Sequence, residues 1–139
     1  MNYLLDTCAI SELNKVKPDP KVVAFITGKS AESFYISVIT LGELTHGICA
    51  LASGKRRKQL EAWLHEIEAQ FADRVLGLDA KAAKHWGEHT AIQAKKGIVV
   101  PPLDGLIAAI AKSHRLTVVT RNQRHFIEAG AQVVNPWVS

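Results

Sequence analysis

The stretch Asp104-Gly105-Leu106-Ile107-Ala108-Ala109-Ile110-Ala111-Lys112, followed closely by Leu116-Thr117-Val118-Val119-Thr120, decides the fold. The first segment is apolar on nearly every side, which predicts a helix packed deep in the structure. The second is a short β-branched run, the mark of a buried strand. Downstream, Arg121-Asn122 begins a turn, a brief helix is expected over 126–129 with Gly130 as its stop, and Gln132-Val133-Val134 reads as a last strand. Upstream, Pro101-Pro102 predicts a loop over 98–103. Before it, Asp79 caps a helix that ends at Gly97. Val75-Leu76 is a short strand, and a helix over 56–71 carries the stripe Leu60, Trp63, Leu64, Ile67 and Phe71. A helix over 38–51 follows the strand Phe34-Tyr35-Ile36. Asp19-Pro20 opens a helix that Gly28 closes, and Tyr3-Leu4-Leu5 is a strand that turns at Asp6-Thr7 into a short helix over 8–13. Strands alternate with helices throughout, the pattern of an α/β domain around a mostly parallel sheet.

A chain of 139 residues is one domain's worth of polypeptide. It can hide roughly two-thirds of its unfolded surface in one core. Hydrophobic residues at 47% and charged residues at 22% exclude a disordered or fibrous chain. Lys plus Arg number 17 against 13 Asp plus Glu, a net charge of +4 that leans mildly toward phosphate-bearing partners. Cys8 and Cys49 lack zinc-ligand spacing and read as free buried thiols of a reducing compartment. The amino terminus lacks the pattern of a signal peptide and no stretch has the length of a membrane span, so a cytoplasmic protein is expected.

In open α/β sheets ligands bind beyond the carboxyl ends of the strands. Asp6 follows the first strand, the second leads into the helix bearing Glu43, Asp104 starts the buried helix, and the strand over 116–120 ends in Arg121-Asn122. Asp6 and Asp104 also read as plain helix caps. Glu43 is less easily a surface residue, because its helix face carries Thr40, Gly47 and Ala50, small groups that leave room beside a carboxylate. Three carboxylates meeting in a partly dry pocket repel one another unless a divalent cation lies between them. All-oxygen ligands select Mg²⁺ or Mn²⁺ over zinc, and such an ion suits phosphodiester hydrolysis.

Five motifs carry a family resemblance: Leu5-Asp6-Thr7 with Ser11-Glu12, Ser37 to Leu44 around Glu43, Leu103 to Ala109 around Asp104, Val119-Thr120-Arg121-Asn122, and Asn135-Pro136-Trp137. Together they make the sequence resemble the PIN-domain nucleases, and among them the VapC and FitB toxins of type II toxin–antitoxin pairs. The resemblance implies a three-layer PIN-like domain over 1–139 and a Mg²⁺-dependent endoribonuclease, with Mn²⁺ as a substitute. Asp6 and Asp104 chiefly hold the metal, Glu43 is a further acidic member, and Asn122 and Thr7 support the site. It also implies a homodimer and a small antitoxin that covers the acidic pocket. The sequence departs from the pattern at the fourth acidic position, where Asn122 and His125 stand. An amide adds no negative charge, so one tightly bound ion is expected. His125 is left outside the catalytic set.

Arg121 is read as a phosphate contact to RNA. Lys55-Arg56-Arg57-Lys58 places four cations at a helix start, where they oppose the helix dipole and read either as a solvated terminus or as a site for RNA or an acidic partner. His85 and His89 have metal-ligand spacing but lack the HExxH order, and read as packed or solvated side chains. Two rivals remain at this level: a non-catalytic RNA- or protein-binding module on the same fold, and a doubly wound phosphatase or receiver, for which no suitable lysine is visible.

Overall fold

Tyr3–Leu5 (β1) lies at the centre of a five-stranded sheet, between Phe34–Ser37 (β2) and Thr117–Val119 (β4). Val75–Leu76 (β3) and Val133–Val134 (β5) form the edges, and the order is β3-β2-β1-β4-β5. All four strand pairs are parallel, with Tyr3 beside both Phe34 and Thr117 and Leu5 beside Val119. The computed structural model describes residues 1–138. Its helices are Thr7–Leu13 (α1), Pro20–Thr27 (α2), Val38–Cys49 (α3), Lys55–Gln70 (α4), Ala80–Lys95 (α5), Pro102–Ser113 (α6) and Gln123–Glu128 (α7), with one 3₁₀ turn at Ala31–Ser33.

Side chains of successive strand residues point to opposite faces, and the sheet uses both. Tyr3, Leu5, Phe34, Ile36 and Val119 face α1 to α4, where they meet Ile10, Val22, Leu44 and Ile67. Leu4 and Val118 face the other way, onto Ile107, Ile110 and Phe126. The result is the expected three-layer α/β fold with its sheet parallel throughout. Among the described residues no helix is long and apolar enough to cross a membrane.

The predicted boundaries hold where a cap defines them. Asp19 accepts from the Lys21 amide at 2.8 Å and Pro20 takes the first helical position. Gly97, at φ +76°, turns the chain out of α5 in a conformation that side chains disfavour. Three expectations are corrected. Pro101-Pro102 does not keep helix out of 98–103, because α6 starts at Pro102, where a missing N–H costs nothing. Asp104 therefore lies in the first turn of α6 and is not its cap, although it still faces the positive end of the dipole. Cys49 is exposed, and only Cys8 is partly buried.

Gly105 is held by packing. A Cβ there would stand 3.0 Å from both Cδ1 and Nε1 of Trp86 on α5, and 3.4 Å from Val100. Alanine has the better helix propensity, yet Gly105→Ala is expected to destabilise the protein by about 1–3 kcal/mol through overpacking. Urea unfolding checks this, and a stabilised variant would show that the α5–α6 contact yields freely.

Candidate active site

The strand order places β2 and β3 on one side of β1 and β4 and β5 on the other, so the topological switch lies between β1 and β4. A crevice opens beyond the carboxyl ends of strands at such a point. Asp6 and Thr120 are the first residues after those two strands. The Asp6 amide donates to the Val119 carbonyl at 3.2 Å, which pins the carboxylate beside the end of β4.

Asp6 adopts extended backbone and caps α1, its Oδ1 accepting from the Ala9 amide at 2.9 Å. Oδ2 accepts from the Thr120 hydroxyl at 2.6 Å. The Cys8 thiol donates to the same carboxylate, 2.9 Å from Oδ1 and 3.2 Å from Oδ2. Asp6 is only 3% exposed. Burial raises its pKa above the usual carboxylate range, the donors oppose that rise, and the nearby charge of Asp104 adds to it. Cys8 is pushed up to about 12 by burial and by the Asp6 charge, so it remains a thiol and a donor.

Asp104 is partly buried, with Oδ2 3.1 Å from Nδ1 of His125 on α7. Glu43 comes from α3, which Ser37 caps by accepting from the Thr40 amide at 3.1 Å. Its Oε1 accepts from the Thr7 hydroxyl at 2.6 Å, and Thr7 Oγ1 lies 3.3 Å from Thr40 Oγ1. Hydroxyls thus connect Glu43 to the residue next to Asp6. The Asn122 amide donates to Thr120 Oγ1 at 2.9 Å, and its exposed side chain does not cap α7.

Asp6 and Asp104 are drawn close enough to repel, and among the described residues no Lys or Arg pairs with Asp6, Glu43 or Asp104. Also among the described residues, no three His, Cys, Asp or Glu side chains form a ready-made metal cage. This donor set fits Mg²⁺, which binds through one or two carboxylates and retains several waters.

A PIN-domain model matches residues 3–131. The chain belongs to the PIN-domain family. This PIN domain is 39% identical over 135 residues to the VapC ribonuclease Y4jK of Sinorhizobium fredii, covering 96% of each chain. It is 38% identical over 135 residues to toxin FitB of Neisseria gonorrhoeae, covering 96% of this chain and 97% of that protein. The crystal structure of FitAcB from Neisseria gonorrhoeae superposes with a TM-score of 0.91 at 38% identity, covering 97% of this chain and 98% of that one. The resemblance read from the motifs is borne out.

The structure also gives the PIN domain polar groups that sequence reasoning left outside the site. Thr120 is fully buried and holds Asp6, a role visible only once β1 and β4 are known to be neighbours. Glu12 is a buried hub whose Oε2 accepts from the Asp19 amide at 2.9 Å. Its Oε1 receives Trp137 Nε1 at 3.3 Å, Lys15 Nζ at 2.8 Å and Arg121 Nη2 at 3.4 Å. The Lys15 bond, the Asp19 amide and Trp137 hold its pKa down at about 2. Arg121 also lies 4.8 Å from the centre of the Trp137 ring. Its guanidinium clasps the carboxyl-terminal segment beside the pocket.

Proposed function

We propose that this PIN domain is a Mg²⁺-dependent endoribonuclease, with Mn²⁺ as a substitute ion, acting as the toxin of a toxin–antitoxin pair. The supporting observation is a buried Asp6 carboxylate at the switch point, with the Asp104 charge beside it and, among the described residues, no Lys or Arg paired with either. Two relatives named as a ribonuclease and a toxin, each matched over nearly its full length, lend it weight.

Asp6 and Asp104 would hold the ion. Once bound, a divalent cation lowers the pKa of a coordinated water and stabilises charge on a phosphoryl oxygen. The protein's own contribution is orientation. Thr120, Cys8 and the Ala9 amide fix the rotamer of Asp6. His125 engages one oxygen of Asp104 and leaves the other for the ion. Thr7 directs Glu43, and the uncommitted carboxamide of Asn122 supports the ion's water shell. The toxin works in the cytoplasm as a homodimer until a small antitoxin covers its acidic pocket.

Purified protein incubated with structured RNA and Mg²⁺ is expected to cleave it, and EDTA to stop the cleavage. Asp104→Asn is expected to slow cleavage by on the order of a hundredfold or more. RNA binding without metal-stimulated cleavage would instead establish a non-catalytic binding module.

A further inference from the structure

Beside Glu43, α1, α3 and α4 enclose a cleft of about 310 Å³. Thr7 on α1 and Glu43 on α3, bonded to each other, belong to its wall. Along α1 the same wall continues to Asn14 and Lys15, about 10 Å away at 1.5 Å per residue. From α4, Arg56 and Trp63 complete it. Trp63 is partly buried and packs against the core, so it is a fixed surface. Gly47 of α3 also lines the cleft, and a Cβ added there would meet nothing within 4 Å.

The charges around this cleft are unevenly balanced. Lys15 is committed to Glu12 at 2.8 Å, and Arg57 to Glu61 at 3.7 Å. Among the described residues no carboxylate pairs with Lys55, Arg56 or Lys58. These three cations sit in the first turn of α4, whose dipole and unbonded amides are also positive and whose start, at Gly54, has no side-chain cap. That placement costs stability in the free protein and is relieved by a polyanion. Glu43 is the acid of the cleft, and Thr7, bonded to it, is the residue next to Asp6, so the cleft combines cationic and aromatic walls with an end that adjoins the proposed site.

We infer that this cleft is a subsite for single-stranded RNA adjoining the scissile bond. Arg56 contacts a backbone phosphate and Trp63 provides the surface for an unpaired base. The aromatic wall selects single strands because a paired base keeps its faces within its own stack. The inference rests on the nuclease reading and specifies where that nuclease grips its substrate.

The test is equilibrium binding of a fluorescein-labelled single-stranded oligoribonucleotide of about 12 nucleotides, in EDTA so that nothing is cut, over a range of salt. Arg56→Ala is expected to weaken binding about three- to tenfold and to reduce the slope of log K against log salt by about 0.7, the value for one phosphate on a single strand. Gly47→Leu, which fills the cleft from an open helical position, is expected to weaken binding about tenfold while thermal stability holds or rises. Lys81→Ala, on the exposed side of α5, serves as the control and is expected to bind as the parent does. A duplex of the same sequence is expected to compete poorly. Parental affinity and salt slope in both cleft variants overturn the inference, as does equal competition by duplex. If those variants lose a protein partner and keep RNA, the cleft belongs to that partner. A parent that cleaves and binds RNA alongside variants that bind equally well removes only the cleft assignment. A parent that neither binds nor cleaves RNA removes the nuclease reading as well.

Discussion

Asp6→Asn is expected to lower metal-dependent RNA cleavage by on the order of a thousandfold, while leaving the metal-free protein at least as stable as the parent near neutral pH. The two effects share a cause. Asparagine caps a helix as well as aspartate does, so α1 keeps its start. Its carbonyl can still accept from the Ala9 amide, and the Thr120 hydroxyl, with two lone pairs, can turn to accept from the new amide. What disappears is a negative charge that burial and Asp104 both disfavour. Because the folded pKa of Asp6 is raised above 3.8, its contribution to stability is fully present below that value and is lost as pH rises through the folded pKa. In EDTA the parent is therefore expected to lose stability over that interval, and Asp6→Asn to lack this part of the pH profile. Mg²⁺ is expected to restore stability to the parent and to do so far less for the variant. Urea melts across pH, with and without Mg²⁺, read the stability, and a gel assay reads the cleavage. A variant that cuts RNA at the parental rate would remove Asp6 from the mechanism.

The conflict that makes Asp6 informative was visible in the sequence. A carboxylate immediately after a fully apolar strand must lie at a sheet edge, and the alternation of elements predicts a parallel sheet in which such edges coincide. The same reasoning brought Glu43 and Asp104 to that edge. It could not supply strand order, and so it missed Thr120, whose hydroxyl reaches Asp6 only because β4 lies beside β1. Boundaries were legible where a residue enforces them, as at Asp19-Pro20 and Gly97. They were lost where neighbouring residues permit two outcomes. Two prolines in succession look like a break, yet the second is an ordinary helix start. The helix expected from Phe126 begins earlier, at Gln123, because the polar residues of its first turn reveal no apolar period and only Phe126 is buried. Glu12 has no role legible in its own motif, because two of the four groups that meet there, Arg121 and Trp137, lie at the far end of the chain.

Glu12 is where the second large effect is expected. Glu12→Ala leaves the Asp19 amide and Trp137 Nε1 without their acceptor and frees two cations beside them. An abandoned buried donor costs about 1–3 kcal/mol, so a loss of about 2–4 kcal/mol is expected. Glu12→Gln keeps the shape and loses the charge, and its single carbonyl oxygen serves only one of the Asp19 amide and Trp137 Nε1 while its NH₂ faces the other. The folded pKa of about 2 lies below the ordinary 4.5, so the stability carried by this charge is present above pH 4.5 and is lost as pH falls toward 2. The lysine partner is half exposed, and solvent screening limits the charge contribution to about 1–2 kcal/mol. Urea unfolding at pH 7 is expected to separate parent from Glu12→Gln by at least that amount, and the gap to narrow by about the charge contribution as pH falls toward 2. The functional consequence follows from the clasp. Arg121 is the residue after Thr120, so releasing it from Glu12 and Trp137 loosens the hydroxyl that aims Asp6. Cleavage by Glu12→Gln is expected to fall about tenfold under conditions where the protein remains folded. Parental stability at pH 7 together with a parental acid profile would show that Glu12 does not anchor the carboxyl-terminal segment.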